Sequence, residues 1–341
     1  MSRIRTLQIY IITRLLLAPI MVWLVTTLVF LLLRATPGDP VDSILGPRAP
    51  ALVKQALREQ LGLTGSIWHQ YRSYMGQLLN LDLGSSLVRQ GQTVWGVIQD
   101  FFPATVELAL LGMTIALVVG ITLGCISATH PNSLWDGGGR LFGIITYALP
   151  AFWIGMLAQL IFGVWLQWFP LGTRFPITQS PPQGPTGLYV LDSLLAGNWM
   201  QTITSLHYLA LPSLTLVVLI SGIFERIVRV NLQKTLQSDY VEAARARGIP
   251  EWRILMFHAL QTALIPVVTV MGLTLAALLG GAILTEVTFS WPGLGNRLYD
   301  AISLRDYPTV QGIIIFFAGI VSLASIAVDI FNAVIDPRIR Y

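Results

Sequence analysis

The sequence predicts an all-α integral membrane protein with six spanning helices and a helical insertion after the first. Three observations predict it. Of 341 residues, 54% are hydrophobic and only 11% charged, where ordinary soluble domains carry about 25% charge. Six stretches, at about 10–34, 102–129, 141–168, 206–228, 262–286 and 308–332, are long and apolar enough to cross a bilayer. The basic residues are unevenly shared between the loops. With the N-terminus inside, twelve Lys and Arg fall on the inner side: Arg3, Arg5, Arg14, Arg140, six between Arg226 and Arg253, Arg338 and Arg340. Three, Arg174, Arg297 and Arg305, fall in the short outer loops. That bias places both termini in the cytoplasm.

The first span follows Arg3, Arg5 and Arg14, as a signal peptide would. Its run, Leu15–Leu33, is too long for one, and Arg34 and Pro37-Gly38-Asp39-Pro40 follow where a small-residue cleavage site would stand. It is expected to be retained, so residues 1–34 form the N-terminal segment and first span. Residues 35–101 are the one soluble-looking section. Ala49–Leu63 has an apolar stripe of Leu52, Ala56, Leu57 and Leu61, and Ile67–Leu81 suits a second helix. This external subdomain is too small to hold a core without the membrane helices beneath it. Residues 102–341 make the five-helix core. Pro150 and Pro212 are expected to kink the third and fourth spans. The loop at 169–205 is rich in Pro and Gly and reads as an irregular outer cap. Gly112, Gly120 and Gly124 in the second span, and Gly280-Gly281 in the fifth, have the small-residue spacing of closely packed membrane helices.

The cytoplasmic loop at 233–262 is the most charged short stretch. Within Asp239–Pro266, DYVEAARARGIPEWRILMFHALQTALIP, the helical projection puts Leu232, Leu236, Tyr240 and Ala243 on one side and Lys234, Ser238, Glu242 and Arg245 on the other. Gly248 is placed to close the helix in the left-handed conformation, and Pro250 to begin the next. Glu251 in the first turn of that next helix suits its dipole. Helix, tight turn, helix is the expected shape. An amphipathic helix lying on the membrane has this pattern, and so has a rigid docking element for a soluble partner, with Ala243, Ala244 and Ala246 permitting close approach.

This segment resembles the Glu-Ala-Ala loop of ABC-importer permeases, matching at Glu242-Ala243-Ala244, at Gly248 and at Ile265-Pro266. Other words resemble the dipeptide/oligopeptide/nickel branch of that family: PGDP at Pro37–Pro40, DLGSSL at Asp82–Leu87, ATVEL at Ala104–Leu108, HYLALPSLTL at His207–Leu216, LLGGAILTEVTFSWPGLG at Leu278–Gly295, RDYP at Arg305–Pro308 and DPRIRY at Asp336–Tyr341. They cover the chain in order and are most similar to the first of two paired permeases. The resemblance implies the type I importer permease fold in a bacterial or archaeal-type cytoplasmic membrane. It implies a homologous second permease, two ATPase subunits that bind ATP and Mg, and an external substrate-binding protein. The coupling role falls on Glu242, Ala243, Ala244 and Gly248. The implied cargo is dipeptides or oligopeptides, with nickel complexes, glutathione or another small solute as alternatives.

The residues point to no chemistry of the chain's own. There is no phosphate loop and no H-E-x-x-H motif, so no cofactor or metal is expected and ATP hydrolysis is left to partners. His69, His130, His207 and His258 are scattered, and the lone Cys125 excludes an internal disulfide. A net charge of +4 reads as topology, with no nucleic-acid partner. An ion-coupled transporter would show mid-membrane charges and repeats, and neither is evident. Charge near a membrane helix is costly, so Glu107 and Glu286 at the outer ends of the second and fifth spans, and Glu225 at the inner end of the fourth, are singled out. Local ion pairing would explain them. For Glu107 and Glu286 the alternatives are lining the outer path or pairing with a second permease.

Overall fold

The computed structural model describes residues 2–35, 40–46, 48–60, 64–89 and 91–335. Among them, structure is helical apart from one isolated bridge between Ser85 and Thr93. A long first helix, α1 (Ser2–Ala35), is followed by three short ones, α2 (Pro40–Leu45), α3 (Ala51–Gln60) and α4 (Ile67–Leu79). Next come α5 (Val94–Thr129), α6 (Leu134–Ala148) and α7 (Ala151–Ala158), the last running on as a π-helix through Gln159–Trp165. The short α8 (Tyr189–Leu195) precedes the long α9 (Trp199–Leu236) and the eight-residue α10 (Asp239–Ala246). An ascending segment then comprises α11 (Glu251–Ile254), a π turn at Leu255–Ala259, α12 (Leu260–Ala263) and α13 (Ile265–Leu279). The chain ends in α14 (Ile283–Thr288), α15 (Leu294–Ser303) and α16 (Tyr307–Ile335). The expected words at Pro37–Asp39 and Asp336–Tyr341, Leu61 and Leu63, and the side chains of Arg3 and Arg5, lie outside the described residues.

Parts of α1 and α16, with α5 and α9, are each long and apolar enough to cross a membrane, and two bent pairs bring the crossings to as many as six. The third expected span is not one helix. α6 and α7 meet at 103°, because Pro150 forces Leu149 out of the helical region (ψ 134°) and caps α7 instead. The fifth is bent by 51° between α12 and α13, just ahead of Pro266, whose missing N–H cannot extend the ladder. Gly280 and Gly281 pack closely on α16, where an added Cβ would meet Val321 at 3.3 Å and Phe317 at 3.2 Å. They end α13, Gly281 with φ of 109°, and turn the chain into α14. By contrast Pro19, Pro103 and Pro212 lie inside continuous helices. Hence α5 begins at Val94 rather than near 102, and α9 extends well past both ends of the expected 206–228.

The central pair is α5 and α9, which run parallel in constant register: Gly112 faces Leu216, Gly120 faces Phe224 and Gly124 faces Val228. The expected glycine seam is therefore real. A side chain at Gly120 would lie 2.5 Å from the Phe224 Cβ and 2.7 Å from the Ser221 carbonyl. α6 lies across α9, with Gly139 and Gly143 over Glu225 and Gly222 under Thr146. α1 packs on α16, and α16 on α13.

In the insertion the described members of the expected stripe on α3, Leu52 and Ala56, are exposed within this chain, Leu52 at 82%. α4 is held instead by the end of α1. Phe30 stacks on Tyr74 at 5.6 Å and meets Tyr71 edge-on at 5.3 Å, while Thr27 and Tyr71 hydroxyls lie 2.8 Å apart.

The seam predicts that Gly120→Ala lowers stability by about 1–3 kcal/mol through overpacking. Gly137→Ala on α6, where a Cβ meets nothing within 4 Å, should be neutral or stabilising through helix propensity. Thermal unfolding of the purified protein in detergent checks the contrast.

Candidate functional site

α10 is built as the sequence dictates. Ser238 begins it in extended conformation (ψ 150°), and Arg247 ends it. Gly248 takes φ of 75°, a region that costs an L-residue about 1–2 kcal/mol. Two hydrogen bonds close the end: the Gly248 N–H donates to the Arg245 carbonyl at 2.9 Å, and the Ile249 N–H to the Ala244 carbonyl at 3.3 Å. This is the Schellman arrangement, and it satisfies carbonyls that a helix end leaves open. Pro250 then caps α11 with Glu251 in its first turn. The expected turn at Gly248 and the start of the next helix at Glu251 stand where the sequence put them.

The buried face of α10 is not the expected one. Val241 is fully buried and Ala244 nearly so, packed with Leu232, Ile254, Ala259, Ala263 and Ala128. Tyr240 and Ala243, which the projection set on the same side as Leu232 and Leu236, are exposed. The projection ran one helix from Leu232 onward, whereas α9 stops at Leu236 and α10 restarts after Ser238. That break resets the helical phase. Of the four coupling candidates, Glu242, Ala243 and Gly248 are exposed and Ala244 is the inward anchor. Arg245 does not offer a free charge to a partner. It donates to Glu251 through Nε at 2.7 Å and Nη2 at 3.3 Å, and through Nη1 to the Leu236 carbonyl at 3.2 Å. One guanidinium thus staples α9, α10 and α11. Tyr240 reaches the other way, its hydroxyl 3.3 Å from both the His258 carbonyl and Thr262 Oγ1. His258 makes a local contact as well, Nδ1 lying 3.3 Å from the Arg253 carbonyl.

Beside α10 lies an open cleft of about 820 Å³, lined by residues of α6, α9, α10 and α11 and the 128–132 turn. Its charges are chained together. Arg140 donates to Asp136 at 2.8 Å, Arg229 lies 3.5 Å from the same carboxylate, and Arg229 Nε lies 3.3 Å from Glu225. Glu225 is thus a buried carboxylate beneath the glycines of α6, with Arg229 as its ion-pair partner.

At the opposite end of the bundle, the two remaining candidate carboxylates are occupied within the chain. Glu107 is buried. One of its oxygens accepts from Arg174 Nε (3.0 Å) and Nη2 (2.6 Å), and the other from the Val190 N–H (2.7 Å). Arg174 is equally buried and its guanidinium lies 3.7 Å over the Tyr189 ring. Glu286 is fully buried and accepts from Thr105 Oγ1 at 2.7 Å and the Asn296 N–H at 2.8 Å. Trp291, also fully buried, donates to the Ala104 carbonyl at 2.9 Å. Thr105 in turn accepts from the Leu294 N–H at 2.8 Å. The pair Ala104-Thr105 on α5 therefore holds α14 and α15, and Glu107 one turn on holds the 174–190 cap. Arg174 was read from sequence only as a topology marker. The signal that would have found its role is two opposite charges, each beside apolar runs in a chain with little charge.

Asp306 lies in the word RDYP and was given no role from the sequence. It is fully buried and accepts from Ser86 Oγ at 2.5 Å, the Leu87 N–H at 3.0 Å and Thr309 Oγ1 at 2.8 Å. It ties the segment Asp82–Leu87 to the start of α16. Among the described residues no group of His, Cys, Asp and Glu is placed to hold a metal.

Two family descriptions match the chain. Residues 120–341 match the binding-protein-dependent transport system inner membrane component, and residues 7–109 its membrane-component N-terminal region. Similar proteins include the dipeptide transport system permease of Alkalihalophilus pseudofirmus, 38% identical over 328 residues, covering 96% of this chain and 97% of the relative. The di/tripeptide transport system permease of Pseudomonas aeruginosa is 40% identical over 320 residues, covering 93% and 94%. A probable D,D-dipeptide transport system permease of Escherichia coli is 39% identical over 315 residues, covering 92% of each.

The Glu107–Arg174 pair predicts that Arg174→Ala, which leaves a buried carboxylate alone, costs about 3–5 kcal/mol. The double change Glu107→Leu with Arg174→Met removes both charges and should recover much of that loss. Thermal unfolding of the three proteins checks it.

Proposed function

The chain belongs to the binding-protein-dependent transport system inner membrane components, and from that membership we propose that it carries dipeptides or oligopeptides. It is a multi-pass membrane protein and a permease subunit of an ATP-driven importer, a transport component rather than a catalyst. In this family ATP and magnesium belong to separate subunits. The peptide cargo is taken from the relatives, which are dipeptide and di/tripeptide permeases similar to the chain almost end to end.

The observation that carries the coupling reading is α10 itself: a short helix seated on an apolar cluster by Val241 and Ala244, with Glu242, Ala243 and Ala246 turned outward. Such a helix presents a small, stiff, mostly alanine surface with one carboxylate, suited to a groove on a soluble partner. We read Glu242 and Ala243 as contacts for an ATPase subunit, Ala244 as the anchor and Gly248 as the residue that permits the turn. Both termini and α10 are assigned to the cytoplasm from the Lys and Arg distribution, and residues 35–101 to the outside. A homologous second permease and an external binding protein complete the assembly. For Glu107 and Glu286 the geometry supports bracing the outer end of the bundle rather than lining a path or pairing with another subunit, since their oxygens are taken internally.

Gly248→Val and Glu242→Arg test the coupling reading in the co-expressed complex. Gly248→Val forces a branched side chain into the left-handed region and should abolish ATPase co-purification and peptide uptake. Glu242→Arg should weaken ATPase binding roughly tenfold through lost charge complementarity. Assembly and uptake surviving both changes would remove α10 from the coupling role. Uptake of labelled dialanine by the intact complex tests the cargo, and uptake of a nickel chelate or glutathione in its place contradicts it.

A further inference from the structure

α10 is eight residues long, about 12 Å, and apart from the turn it rests on non-directional apolar contacts of Val241 and Ala244, which resist a pivot less than a directed hydrogen bond does. The staple Arg245–Glu251 lies beside the turn and is 42% and 67% exposed, so it has little leverage on the far end and little strength in water. Tyr240 stands at that far end. Its hydroxyl meets the His258 carbonyl and Thr262 Oγ1, both at 3.3 Å. Counted from Glu251, these points lie about 10–17 Å up the ascending segment. The turn at Gly248, the ascending segment and the Tyr240 bridge thus close a triangle. What the bridge spans matters too. Between the turn and α13 lie the π turn at Leu255–Ala259 and the 51° bend before α13. A π turn is a local departure from regular helix and often marks a functional site. Tyr240 attaches within the π turn, at His258, and beyond it, at Thr262.

We propose that Tyr240 is a positioning residue for coupling: its hydroxyl ties the start of α10 to the ascending segment. Displacement of α10 then reaches α12 and α13 instead of being absorbed by the turn at Gly248 and the π turn. The proposal rests on the reading of α10 as the coupling helix. Tyr240 acts through its hydroxyl and not as a docking contact, so removing that one oxygen separates the two roles.

The test uses the complete importer in lipid vesicles, with its ATPases, second permease and binding protein, and labelled dialanine as the probe. Tyr240→Phe should leave assembly and ATP hydrolysis unchanged. The dialanine moved per ATP should fall about fivefold, the population shift carried by one hydrogen bond of ordinary net strength. Thr262→Val should reproduce part of the loss, and the double variant should be no worse than Tyr240→Phe alone, because residues acting through one contact are not additive. An unchanged ratio in Tyr240→Phe overturns the proposal. Loss of ATPase assembly in that variant also overturns it, making Tyr240 a docking contact. A cysteine at Ala246 in the otherwise unaltered complex that fails to cross-link to an ATPase overturns the coupling reading, and the tie with it. A cross-link there together with an unchanged ratio sinks the tie alone.

Discussion

Hydrocarbon supplies no hydrogen bonds, so a chain that lives in it stays helical or satisfies every break from within. Much of this architecture follows from how the breaks are met. At Leu149-Pro150 the third crossing turns through 103°. At Gly280-Gly281 the fifth ends, and the chain folds back under Glu286, whose carboxylate collects donors from α5 and from the start of α15. At Gly248 a left-handed residue and two backbone bonds close α10 against α11. Charge obeys the same constraint. Glu107, Arg174, Glu225 and Asp306 are buried or nearly so, and each meets a named partner within the chain.

The two ends of the bundle use these devices differently. At the end opposite α10, Glu107, Thr105 and Ala104 lie within one turn of α5 and hold the 174–190 cap, α14, and α15 through Leu294. Deep burial makes those links strong and hard to replace singly. At the other end, the polar links that hold α10 itself are half exposed: Arg245 to Glu251, and Tyr240 to His258 and Thr262. Between them run α5 and α9, parallel and locked by Gly120 and Gly124. A stiff central pair with one rigid end and one yielding end is a reasonable body for transmitting a push from soluble subunits.

How much of this the sequence disclosed depended on the range of the interaction. The crossings and the shape around Gly248 were legible because hydropathy, left-handed glycine and helix-starting proline are local. Pro150 was expected to kink the third crossing and it does, but the size of the bend, 103°, was not legible because hydropathy is blind to direction. The phase of α10 was misjudged because a two-residue break at Gln237-Ser238 rotates everything after it. Glu107 and Arg174 are 67 residues apart and Asp306 is 220 from Ser86. No periodicity or motif joins such pairs, and their burial is a product of tertiary packing.

The claim that orders the account is that energy from soluble ATPases enters at the outward face of α10. The direct measurement is labelling of Ala243→Cys, in a Cys125→Ser background, by a membrane-impermeant maleimide in right-side-out and inside-out vesicles, with and without the ATPase subunits. The account predicts labelling only in inside-out vesicles and protection there when the ATPases are bound. Labelling from the outer side, or equal labelling with and without the ATPases, would contradict it.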